Sequence, residues 1–126
     1  MAYIEKQFAL TNSDRRISIV TQNVDELHRR AGSQTVVELH GTLYKTRCTK
    51  CHKVEPNTNN PIVPALANIS AIDNDETKNR KISINDLPHC ESCRAMLRPH
   101  IVWFNESLDH DVLDEAGRLL DECDLL

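Results

Sequence analysis

The sequence has no excess of positive charge. Lysine and arginine total 15 against 19 aspartates and glutamates, giving a net charge of −4 and a pI near 5.8. With aromatic residues at only 4%, a basic, base-stacking nucleic-acid surface is not expected. No apolar run approaches the ~20 residues of a membrane helix. The N-terminal stretch MAYIEKQFALTNSDRR has neither the apolar core of a secretory signal nor the acid-poor, serine-rich composition of a transit peptide. Glycine is scarce, at three residues, and no segment is repetitive or of low complexity. What remains is the composition of a water-soluble domain, 40% hydrophobic and 27% charged, with 126 residues to build a core.

Cysteine is the one special residue type in good supply. Four of the five cysteines form two Cys-x-x-Cys pairs, Cys48/Cys51 and Cys90/Cys93. Each pair can turn both thiolates toward one ion, and two pairs complete the tetrahedral sulfur set of structural zinc. Two disulfides or unrelated thiols are the alternative, less suited to a chain without an export signal. His52 and His89 adjoin the pairs and are expected to be exposed bystanders. Cys123 opens an apolar segment, CDLL, read as the start of a buried strand, and is expected to be a buried free thiol.

Ile4 and Phe8 have helical spacing within MAYIEKQFAL. RISIVTQN reads as a β-branched strand, VDELHRRAG as a helix stopped by Gly32, and TVVELHG as a second strand ending at His40 and Gly41. Strand, helix and strand in close succession predict an α/β unit with ligands at the strand ends. A polar stretch from Pro56 to Asp86 reads as a long inserted loop. PHIVWF is strand-like. LDHDVLDEAGRLLDEC sets Val112, Leu113, Ala116, Leu119 and Leu120 on one face of an amphipathic helix, with Asp109 or Asp111 as its cap.

His40 has three readings: a ligand beside the cysteines, a general base, or a structural histidine, of which the last is favoured for the residue taken alone. Gln22, Asn23 and Asp25 crowd the end of the preceding strand, where they suit either a ligand or a turn and helix cap.

TQNVDELH (21–28), ELHGTLYKTRCTKC (38–51) and LRPHIVWF (97–104) closely resemble the sirtuins, the NAD-dependent protein lysine deacylases. PIVPAL (61–66), the long gap between cysteine pairs and the RPHIVWF form resemble the class III branch, mainly mitochondrial enzymes that remove succinyl, malonyl and glutaryl groups. The resemblance implies an α/β fold: residues 1–46 and 97–126 as part of a Rossmann-like parallel-sheet NAD domain, and 47–96 as an inserted small zinc-binding module. It implies that Gln22 and Asn23 contact the ribose next to nicotinamide, that Asp25 holds the nicotinamide amide, and that His40 is the base. It further implies that Cys48, Cys51, Cys90 and Cys93 bind zinc, and that Val102 meets the acyl-lysine amide through its backbone with Phe104 and Glu106 beside it. In such a reaction the acyl oxygen displaces nicotinamide. The base then takes a proton from a ribose hydroxyl, and the products are free lysine, nicotinamide and O-acyl-ADP-ribose. Cofactors would be NAD and Zn2+, and the partners acyl-lysine proteins, without membrane or direct nucleic-acid binding.

The sequence departs from this family in what it lacks. None of Gly32, Gly41 and Gly117 lies in the Gly-Ala-Gly-x-Ser loop that cradles phosphates. The Tyr-x-x-Arg pair that reads an acidic acyl group, the Gly-Thr-Ser strand end and the adenine-binding segment are also missing, and Asn105 replaces a usual glycine. The expectation is the middle portion of a sirtuin, a poor NAD binder by itself. A non-catalytic zinc module for a protein partner is the alternative.

Overall fold

The computed structural model describes residues 1–11, 14–67 and 81–125. Residues 68–80 of the expected inserted loop lie outside the described residues, as does Leu126 of the CDLL segment. The chain divides into two compact units, Met1–Leu43 with Ile101–Leu126, and Tyr44–His100.

The first unit begins with α1 (Ala2–Thr11). Strands β1 (Ser18–Thr21) and β2 (Thr35–Glu38) pair in parallel, with Ser18 opposite Thr35 and Thr21 opposite Glu38. Successive strand side chains face opposite sides of a sheet. Val36 and Val37 are both buried, so β2 is covered on its two faces. In β1 only Ile19 is buried, while Val20 remains exposed. This is why SIVT alternates in burial and TVVE carries adjacent valines. Between the strands lies α2 (Leu27–Arg30), much shorter than the helix read from VDELHRRAG. The Asp25 carboxylate accepts the Leu27 N–H (3.0 Å) and Glu26 is left-handed at φ 54°, so the first residues form a turn instead. The helix ends where expected. Gly32 takes φ 100°, and the Gly32 and Ser33 amides cap the Arg29 and His28 carbonyls.

The amphipathic helix α3 (His110–Asp121) packs on β2 through its apolar face, where Ala116 is buried. Asp109 is its N-cap, accepting the Asp111 N–H at 3.0 Å. Arg118 pairs with Glu115 and Glu122 one turn away on either side, which lowers the Glu115 pKa through the guanidinium hydrogen bonds. Cys123 is exposed, not buried. Positions 123–125 form no strand, and the Cys123 thiol hydrogen-bonds the nearby Leu125 carbonyl.

β3 (Gly41–Cys48), β4 (Val54–Pro56) and β5 (Leu97–Ile101) form a three-stranded sheet in the order β4-β3-β5. β3 and β4 are antiparallel, with Lys45 opposite Pro56 and Arg47 opposite Val54. The strand expected to end at His40 and Gly41 ends earlier, and Gly41 opens another. β2 stops at Glu38, and Gly41, at φ 75°, lets the chain turn into β3. In the second unit the buried cysteines Cys48 and Cys90 take the place of an apolar core among the described residues.

Candidate functional site

The four cysteines converge. Their sulfurs all lie within 4.8 Å of one another, with Cys48–Cys93 at 3.4 Å and Cys51–Cys90 at 3.7 Å. Zinc–sulfur bonds of about 2.3 Å in a tetrahedron require sulfur–sulfur edges of about 3.8 Å, so the donor set fits zinc. Two equivalent turns build it. The Cys48 N–H bonds the Lys53 carbonyl (2.9 Å) and the Cys90 N–H bonds the Ala95 carbonyl (2.8 Å). The residue after each second cysteine is left-handed, His52 at φ 59° and Arg94 at φ 61°. His52 is exposed and His89 half-buried in a bridge to Met96, outside the sulfur cluster.

The thiols are unequal before metal binds. Hydrogen bonds from the Cys51 and Lys50 amides to the Cys48 sulfur lower its pKa to about 6. Cys90 is likewise lowered, chiefly by the Cys93 amide. The Lys53 amide favours the Cys51 thiolate, but competing contacts with Cys48, Cys93 and Cys90, together with desolvation, push that thiol up to about 11. Four thiolates in one site need a cation to hold them together. Four protein ligands also leave no open coordination position, so the site is of the structural kind.

The second cluster lies in the first unit. His40 sits in the turn between β2 and β3, half-buried, with Nδ1 3.2 Å from the Gln22 carbonyl oxygen. A carbonyl only accepts, so Nδ1 carries the proton, and in the neutral ring the lone pair then lies on Nε2. His40 is therefore not among the metal donors. Its own carbonyl accepts the Val102 N–H at 2.9 Å, joining the histidine turn to the start of the Val102–Glu106 segment. There Trp103 and Glu106 close a turn: the Glu106 carboxylate accepts the Trp103 amide at 2.9 Å, and the Glu106 N–H reaches the Trp103 carbonyl at 3.0 Å. Asn105 takes φ 68° within it, and the Phe104 ring is fully exposed.

Gln22 and Asn23 are exposed directly after β1, and Asp25 is half-buried. The Asn23 amide is held by the Thr21 hydroxyl (3.1 Å), and the Leu39 N–H bonds the Thr21 carbonyl (2.9 Å). Hydrogen bonds thus tie Gln22 and Val102 to His40, while Asn23 and Asp25 bond to Thr21 and Leu27 of their own segment. Reading the sequence missed two links. The buried Thr42 hydroxyl donates to Glu26 Oε1 (2.8 Å), and the Leu43 N–H donates to the Val24 carbonyl (3.0 Å). Neither has a local sequence signal, because both depend on the β3 turn.

Comparison with known proteins accords with these geometries. A family model described as "Sir2 family" matches residues 5–126. The mitochondrial NAD-dependent protein deacylase sirtuin-5 of Danio rerio is 48% identical over 127 residues, covering 99% of this chain and 41% of the relative. An NAD-dependent protein deacylase of Daphnia pulex is 47% identical, covering 98% and 46%. The solved structure of a Sir2 homolog–NAD complex superimposes with a TM-score of 0.68 at 35% identity, covering 98% of this chain and 38% of the other. The chain therefore spans about two fifths of the length of these relatives.

Proposed function

The chain belongs to the Sir2 family, and on that premise we propose that it forms the catalytic turn and zinc unit of an NAD-dependent protein-lysine deacylase. The observation that carries the reading is the His40 turn. An imidazole with its proton fixed on Nδ1 presents Nε2 as an acceptor, and the same residue's carbonyl places Val102 beside it. NAD, a co-substrate, supplies the ribose that accepts the acyl group. Gln22 and Asn23 bind that ribose, Asp25 holds the nicotinamide amide, and His40 takes the proton from the ribose hydroxyl as it attacks. The Val102 backbone, Phe104 and Glu106 hold the acyl-lysine. Cys48, Cys51, Cys90 and Cys93 hold zinc as a structural ion. Residues 1–46 and 97–126 belong to the NAD domain and 47–96 to the zinc module.

The class III resemblance of PIVPAL and RPHIVWF supports a short acidic acyl group (succinyl, malonyl or glutaryl) as substrate, and the likeness to relatives named mitochondrial supports the mitochondrion as location. The test is a graft. Residues 1–126 replace the matching stretch of the Danio rerio relative, and nicotinamide release from NAD is followed with succinyl-, malonyl-, glutaryl- and acetyl-lysine peptides. Turnover is expected with an acidic acyl peptide, and none in the His40→Tyr graft at unchanged zinc content. Turnover that survives His40→Tyr at saturating NAD would remove His40 from its role.

A further inference from the structure

The chain leaves β1 at Thr21 and crosses to α2 through five residues, Gln22–Glu26, that touch His40 and the start of β3 at every second position. The Gln22 carbonyl faces His40 Nδ1 at 3.2 Å. The Val24 carbonyl accepts the Leu43 N–H at 3.0 Å. Glu26 Oε1 accepts the Thr42 hydroxyl at 2.8 Å. The last of these three ties stands out. Glu26 holds φ 54°, a backbone state that glutamate seldom adopts and glycine takes freely. Thr42 is 2% exposed, and Gly41 alone separates it from His40. A left-handed glutamate bound to a buried hydroxyl is a conformation that its surroundings fix.

We propose that Glu26 and Thr42 are positioning residues for His40: their hydrogen bond anchors the far end of the Gln22–Glu26 turn, so that the Gln22 carbonyl stays on Nδ1 and the lone pair stays on Nε2. This rests on the reading of His40 as the base. The coupling follows from the spacing of the ties. With Glu26 anchored, the turn has fixed contacts at 22, 24 and 26, and each intervening side chain is aimed. Asp25, flanked by two anchors, keeps its Oδ1 on the Leu27 amide. Without the anchor, Glu26 relaxes toward ordinary backbone angles and carries the turn with it. A histidine ring that loses its carbonyl partner no longer has its tautomer fixed. It then places a proton where the base needs a lone pair.

The first test uses the chain itself, with 15N-labelled histidine observed by NMR at a pH where the imidazoles are neutral. His40 is expected to be protonated on Nδ1. Thr42→Val, which keeps the shape and removes the hydroxyl, should shift it toward the Nε2-protonated form, and Thr42→Ser should restore the original signature. Glu26→Ala removes the carboxylate and keeps the strain at φ 54°, and should show the same shift, whereas Glu26→Gly suits φ 54° without an anchor and should leave the signature closer to the original. In the grafted enzyme, Thr42→Val is expected to lower kcat about tenfold while KM for NAD and peptide stays within about twofold, with Thr42→Ser near the unsubstituted rate. A His40 signature that does not move in Thr42→Val and Glu26→Ala overturns the proposal, and so does a shift with no loss of kcat. A graft with no turnover before substitution sinks the deacylase reading instead, and the histidine spectrum then decides the tether.

Discussion

Replacing Cys90 with serine should cost the Tyr44–His100 unit its metal and its fold. Cys90 is 1% exposed and its sulfur lies 3.7 Å from that of Cys51, in a cluster whose widest separation is 4.8 Å. Structural zinc sites of this kind bind with about 10–16 kcal/mol at neutral pH, so one ligand in four accounts for about 3–4 kcal/mol. That is a loss of about 100–1,000-fold in zinc affinity. The unit has little to fall back on, because its buried apolar side chains among the described residues are Cys48 and Cys90 themselves. Burying two small side chains yields a few kcal/mol at most, while each ordered residue costs about 1–2 kcal/mol of backbone entropy. The assay is zinc content by mass spectrometry after gel filtration, joined to competition with a chromophoric chelator and to hydrogen exchange. In the wild-type protein the Cys48 and Cys90 amides, bonded to the Lys53 and Ala95 carbonyls, should be among the protected ones. In Cys90→Ser, or in wild type stripped by chelator, they should exchange freely. A metal-free protein that keeps both amides protected would refute the claim that the metal holds the unit.

At pH 7 the unequal thiols predict that zinc binding releases at least one proton, from Cys51 at about 11, while Cys48 at about 6 is already largely ionised; calorimetry in buffers of different ionisation enthalpy measures it. The sign follows from the lowered Cys48 value: its contribution is fully present above the ordinary value of 9.0 and is lost as pH falls through about 6, so zinc retention should fail on the acid side. Asn105 at φ 68° predicts that Asn105→Gly is tolerated or stabilising by up to about 1 kcal/mol, whereas Asn105→Val costs about 1–2 kcal/mol, read by thermal denaturation. Val37→Ala, at a position 9% exposed on the strand covered on both faces, should cost about 2 kcal/mol in denaturant unfolding without altering zinc content.

The parts of the fold that composition and period control were legible in the sequence. The α1 and α3 spans, the Asp109 cap, the Gly32 stop and strands β1 and β2 each follow from residues close in sequence. The cysteine pairs were legible because each Cys-x-x-Cys is a local turn, although their meeting across residues 52–89 is not local. The long strand β3 was not legible. GTLYKTRC lacks a clean alternation, and one of its two neighbours in the sheet is β5, far along the chain. Cys123 was misread because an apolar flank suggests burial only when something packs over it, and here nothing among the described residues does so enough to bury it.

The backbone makes the sharper case. Among the described residues, four non-glycine residues hold positive φ, Glu26, His52, Arg94 and Asn105, and each falls in a turn of one of the two clusters. Only Asn105 was anticipated, since asparagine is the side chain that best tolerates that state and a familiar glycine is missing there. His52 and Arg94 are forced by the sulfur turns, where the chain must reverse immediately after the second thiolate. Glu26 has no such metal to force it. Its carbonyl accepts the Arg30 N–H of the helix it starts (2.9 Å), and its side chain is held by the Thr42 hydroxyl, sixteen residues later in the chain. The helix bond survives a change at Thr42 and the side-chain bond does not, so the Glu26–Thr42 tie near His40 is the place where a conservative substitution can separate folding from chemistry.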